Sequence, residues 1–188
     1  MNNTVKKLTL SAMFLAIGLV LPFLTMQIPE IGMRLLPMHI PVILCGLICG
    51  WKYGFAVGAI LPLMRSVLFM TPPMFPMAVS MSFELATYGL VVGLLYGYSR
   101  WHCIVALYRS MIVAMLAGRV VWGFAMFVLL GGIGGNFSWQ AFIAGAFINA
   151  WPGIVIQLAL IPAIMVALKR AGLVQFHKKR SGKSTVDN

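Results

Sequence analysis

Acidic residues are almost absent from this chain. Of its 188 residues three are Asp or Glu, against fourteen Lys or Arg. Charged residues of either sign make up 9% and hydrophobic ones 61%, and the mean hydropathy is +0.97. So little polar surface excludes a soluble domain of this size. Runs of about 20 apolar residues read as membrane helices. The alternating segments of about ten residues that would mark a membrane barrel are missing. In a soluble protein the formal net charge of +11 would suggest nucleic acid. Here the basic residues sit at the ends of apolar runs, where they set orientation, and nucleic acid is not an expected partner.

Catalytic and cofactor motifs are lacking too. There is no GxSxG elbow, no HExxH, no pair of aspartates, and no glycine-rich phosphate loop ending in Lys and Ser or Thr. One internal carboxylate and one histidine at a span end make a poor catalytic set. The expectation is therefore a protein that is not an enzyme, holds no cofactor and hydrolyses no ATP itself. Three cysteines form no disulfide framework. Cys45 and Cys49 stand four apart on one apolar run and Cys103 lies in a loop. Without His or Asp partners they read as packing residues rather than a metal site. Lys6 and Lys7 precede an apolar run that reaches Leu24, which is too long for a signal peptide and has no small-residue cleavage site after it. It reads as a retained first span.

The apolar pattern predicts an all-α integral membrane protein with six transmembrane helices, over about 8–26, 36–50, 53–70, 77–98, 104–130 and 138–168. Pro72, Pro73 and Pro76 cannot continue a helix, and Gly131 to Asn136 is a flexible break. Pro152 is expected to kink the long last span. Eleven basic residues fall on one side: Lys6, Lys7, Lys52, Arg100, Arg109, Lys169, Arg170, Lys178, Lys179, Arg180 and Lys183. The other side has Arg34, while Arg65 and Arg119 lie within spans. The positive-inside rule then places both termini in the cytoplasm. Residues 1–170 form one membrane domain, and 171–188 read as a basic, disordered tail. Internal repeats are not apparent, which disfavours a secondary transporter working alone.

Glu84 and Arg119 are the informative residues, each deep inside an apolar run. A charge at such depth is expensive in lipid and persists where it faces the protein interior or a wet cavity. Counted from the outer ends, Arg65, Glu84, Arg119 and Asn149 lie roughly 8 to 17 Å deep at 1.5 Å per residue. All therefore fall in the outer half of the membrane or at its midplane. Tyr88 follows Glu84 by one turn, and Trp122 follows Arg119 by three residues. His39 is a further candidate near a span end. Together these suggest a pocket for a small polar solute. Each has a structural reading as well. Glu84 and Arg119 can pair and lock two helices. Tyr88 and Trp122 can be packing, Asn149 interhelical glue, and His39 a satisfied structural histidine. Arg65 can snorkel to the interface. A non-transporting membrane scaffold needs none of them as ligand contacts.

In the first span Ala12 and Ala16 share one face, and small residues four apart let a second helix approach closely. With the size and the six spans, this pair resembles the substrate-binding S component of an energy-coupling factor (ECF) vitamin transporter. The segment Leu36-Pro37-Met38-His39-Ile40-Pro41, followed by Gly46, Gly50, Gly54 and Gly58, is similar to the riboflavin- and pantothenate-type group. The resemblance covers about residues 5–170. It implies a multi-pass protein of the bacterial cell membrane that binds a water-soluble vitamin from outside. It also implies that the Ala12/Ala16 face docks on a transmembrane coupling protein, itself driven by two ATPase subunits. Residues 27–35 would be a lid, with 71–76 and 131–138 beside it. The residues placed by depth, Glu84, Tyr88, Arg119, Trp122 and Asn149, would line the pocket, among spans four to six. Arg119 or Arg65 suits a carboxylate or phosphate. Glu84 suits hydroxyls or amides. That mix favours pantothenate, whereas Tyr88 and Trp122 equally suit a flat ring.

Overall fold

The computed structural model describes residues 3–25, 36–99, 103–131 and 151–170. They form α1 (Asn3–Thr25), α2 (His39–Cys49), α3 (Trp51–Phe69), a wide π-type turn (Met74–Ala78), α4 (Val79–Tyr98), α5 (Ile104–Gly131) and α6 (Trp151–Arg170). There is no strand among the described residues. Among the described residues, five helical segments are long and apolar enough to cross a membrane. The exception is α2, whose 11 residues span about 16 Å, roughly half a bilayer core. Nine of the eleven are buried, so α2 is lined by protein rather than lipid.

The boundaries differ from expectation for local reasons. α1 begins at Asn3 rather than Leu8, which takes Lys6 and Lys7 into its first turns. α2 begins at His39 rather than Leu36, because Leu36 has φ +49° and cannot sit in a helix. A single residue, Gly50, separates α2 from α3, and its φ of +99° is a conformation that glycine alone adopts without strain. α3 ends at Phe69, where Met70 turns left-handed with its N–H bonded to the Ser66 carbonyl. Phe75, with φ −123° and ψ 134°, breaks the helical path before α4 starts. The expected bend at Pro152 falls in the first described turn of α6, and the proline in the interior of that helix is Pro162.

α4 is the centre of the bundle, packed on α2, α3 and α5. Half of its apolar window is buried, against 17% for α1. Glycines make the approach possible. A Cβ on Gly54 would stand 2.7 Å from the Cα of Gly46 and 2.8 Å from the Gly89 carbonyl oxygen. A Cβ on Gly89 would overlap the backbone of Gly54, and one on Gly58 the backbone of Leu85. Three helices thus meet backbone to backbone, as small residues allow where apolar lipid supplies no hydrophobic drive.

α1 lies at the edge and packs on α2 and α3. Ser11 and Cys45 meet at 3.6 Å between oxygen and sulfur, and Gly18 takes the Leu61 side chain. Near the other end, Arg65 reaches across from α3. Its Nη1 donates to the Leu19 carbonyl at 3.0 Å, and its guanidinium lies 5.1 Å from the Phe23 ring and 5.7 Å from that of Phe69. These two rings meet edge to face at 4.6 Å. Arg65 is 2% exposed, so it does not snorkel; it clamps α1 to α3.

Candidate functional site

Helix periodicity sets the level of the polar residues. Glu84 stands 14 residues before the end of α4 at Tyr98, and Arg119 stands 15 residues after the start of α5 at Ile104. At 1.5 Å per residue both lie roughly 20 Å from that shared end of the bundle, which also carries Lys52, Arg109 and Arg170. The antiparallel helices therefore bring the two charges to one depth. They meet there, with Arg119 Nη1 at 3.0 Å from Glu84 Oε1.

The same oxygen collects two more groups. Tyr88, one turn along α4, donates its hydroxyl to Glu84 Oε1 at 3.3 Å. His39, the first residue of α2, places Nε2 3.6 Å from that oxygen. This is ion-pair range for an imidazolium but too long for a hydrogen bond. The imidazole and phenol rings pack edge to face with centroids 5.1 Å apart. Gly118, next to Arg119, makes room for this: a Cβ there would stand 3.1 Å from the Tyr88 ring. All four side chains are buried, with Glu84 at 2% and Arg119 at 5% exposure.

The set is polar but not self-sufficient. Both nitrogens of His39, and Nε and Nη2 of Arg119, are buried without a hydrogen-bond partner. Buried donors in native structures are nearly always paired, so such orphans call for an explanation.

Of the residues expected to form a pocket, the structure brings together His39, Glu84, Tyr88 and Arg119. His39 is not the satisfied structural histidine it resembled, since neither ring nitrogen is bonded. The structure places Arg65 against α1, where its Nη1 donates to the Leu19 carbonyl. Trp122 is half-buried on α5, and Asn149 lies outside the described residues. Gln157 of α6 was missed by sequence reasoning. It is 1% exposed, its Nε2 has no hydrogen-bond partner, and it stands 13 residues before Arg170, hence at about the depth of Glu84 and Arg119. The signal was there, because Gln157 is the one amide side chain between Trp151 and Leu168. No cluster of three or more potential metal ligands occurs among the described residues.

Against this geometry, the family model for the ECF transporter substrate-specific component matches residues 6–165. The chain belongs to this family. Comparisons with curated proteins and with solved structures return no match. S components are substrate-binding membrane subunits of ECF transporters, and the family is one of transporter components rather than enzymes. The buried polar set between α2, α4 and α5 therefore lies in a member of a family of substrate-binding membrane subunits. The scaffold reading loses its ground on the same match. The Ala12 and Ala16 positions, at the edge of this S component, are both exposed on α1.

Proposed function

We propose that this S component captures a water-soluble vitamin from outside the cell and delivers it inward, with pantothenate the favoured substrate. It spans the bacterial cell membrane six times with both termini in the cytoplasm, the orientation favoured by the eleven basic residues of one side. The site is built from His39, Glu84, Tyr88 and Arg119, with Trp122, Asn149 and Gln157 at the margins, beneath the segments 27–35, 71–76 and 131–138. The observation that carries this reading is the set of buried, unbonded nitrogens of Arg119 and His39, in a chain of the S-component family.

Pantothenate suits the set because it offers a carboxylate, hydroxyls and an amide to a mixture of cationic and neutral hydrogen-bonding groups. Energy comes from elsewhere, since the chain has no phosphate loop. A transmembrane coupling protein docks on the Ala12/Ala16 face of α1, and two ATPase subunits drive it. Exposure of both alanines on the helix least buried in the bundle supports that assignment.

The test is binding by the purified full-length protein, without ATP, against a panel of water-soluble vitamins, read by thermal shift and native mass spectrometry. Nanomolar binding of one vitamin is expected. If none of the panel shifts the melting temperature or appears in the mass spectrum, the proposal fails.

A further inference from the structure

We infer that Arg119 binds the substrate's carboxylate through its Nε/Nη2 edge, and that Glu84 is a positioning residue for that guanidinium. This rests on the reading of the chain as a vitamin-binding S component and narrows its substrates to monocarboxylic acids.

A guanidinium has distinct hydrogen-bonding edges. Nε–H and the N–H of Nη2 point the same way along one side of the plane, and Nη1 lies on the other side. In Arg119 the Nη1 side is occupied by Glu84 at 3.0 Å. The Nε and Nη2 atoms that form the opposite edge are the ones buried without partners. Two parallel N–H groups match the two oxygens of a carboxylate in one plane, in the bidentate fork that arginine makes best. A lone carbonyl or hydroxyl would satisfy one of the two and leave the other orphaned in a medium where orphans are costly.

Glu84 holds the guanidinium from the other side. Its Oε1 already receives Arg119 and the Tyr88 hydroxyl, with His39 at 3.6 Å. These contacts fix the carboxylate, which fixes the guanidinium, which aims the free edge away from Glu84. Group charges set the size of the incoming charge. The set holds one carboxylate and two basic groups, Arg119 and His39. A monoanion adds one negative charge to this set, and a dianion adds two. That favours a carboxylate over a phosphate dianion, because an uncompensated charge buried at this depth is strongly disfavoured.

The experiment compares matched pairs of acid and neutral ligands on the purified full-length protein by isothermal titration and thermal shift. The pairs are pantothenate with panthenol, nicotinate with nicotinamide, and biotin with its amide, alongside neutral riboflavin and a phosphorylated vitamin. One acid is expected to bind at least a hundredfold more tightly than its neutral partner. In Arg119→Lys, which keeps the charge but loses the fork, that ratio should fall below tenfold. Glu84→Gln keeps an acceptor for Nη1 and removes a competing negative charge, so the ratio should hold or rise. A neutral or phosphorylated ligand binding most tightly overturns the inference while leaving the vitamin-binding reading intact. So does an unchanged ratio in Arg119→Lys, or a collapsed ratio in Glu84→Gln. If neither member of any pair binds and riboflavin fails too, the vitamin-binding reading falls and takes this inference with it. Should a variant not fold, the ratio measured on the unaltered protein decides alone.

Discussion

Glu84 Oε1 and Arg119 Nη1 lie 3.0 Å apart, and the same Glu84 oxygen also accepts from Tyr88 at 3.3 Å. One oxygen thus anchors two helices and a phenol. Removing Arg119 alone strands a buried carboxylate, which typically costs about 3–5 kcal/mol. Arg119→Met is therefore expected to lower the melting temperature in detergent sharply, and the double variant with Glu84→Gln to recover most of the loss. Thermal melts of the two singles and the double form a complete cycle. Additive losses in the double would mean that the pair is not coupled.

The glycine contacts predict a contrast within one helix. Gly89→Ala places a methyl group onto the Gly54 backbone, which cannot move aside as a side chain would. Overpacking of this kind costs about 1–3 kcal/mol or more. Gly97, on the same helix, has nothing within 4 Å of its would-be Cβ. Gly97→Ala should be neutral or stabilise by up to about 1 kcal/mol through helix propensity. Equal melting temperatures for the two variants would contradict the close approach of α3 and α4.

Arg65 predicts a local effect at the edge. Arg65→Met removes a charged donor from the Leu19 carbonyl and leaves Phe23 and Phe69 without the cation between them. Hydrogen bonds to charged groups contribute about 1.5–3 kcal/mol. The expected outcome is faster hydrogen exchange at 19–23 in α1, with ligand affinity within about twofold of the unaltered protein. Exchange unchanged at those amides would rule out the clamp. Loss of ligand affinity with exchange intact would return Arg65 to the binding site.

Ala12→Trp with Ala16→Trp fills the exposed face of α1 without touching the buried set. Vitamin binding by the purified protein should stay within about twofold, while uptake in cells that carry the whole transporter should vanish. Normal uptake would remove this face from the docking interface.

Much of the buried polar set was legible because depth is a one-dimensional property. A charge in the middle of an apolar run is visible in the sequence, and so were Glu84 and Arg119. Which groups they meet is not one-dimensional. His39 reached Glu84 because α2 is short and packs glycine to glycine on α4, and nothing in Met38-His39-Ile40 reports that packing. Arg65, like Glu84, reads as a residue of the outer half of the membrane, yet the rotation of α3 turns it toward Phe23 and Leu19. Leu36 sits in an apolar run and was drawn into a helix that its left-handed backbone excludes. Gln157 is the opposite case, a polar side chain visible within an apolar run.

α1 packs chiefly on α2 and α3, while the Glu84 set is built from α2, α4 and α5. Only α2 serves both. Substitutions that retune which molecule is held can therefore accumulate on α4 and α5 without disturbing the outward face of α1. Selection can act on one surface while the other stands still. A lineage of such chains could change its diet and keep its engine.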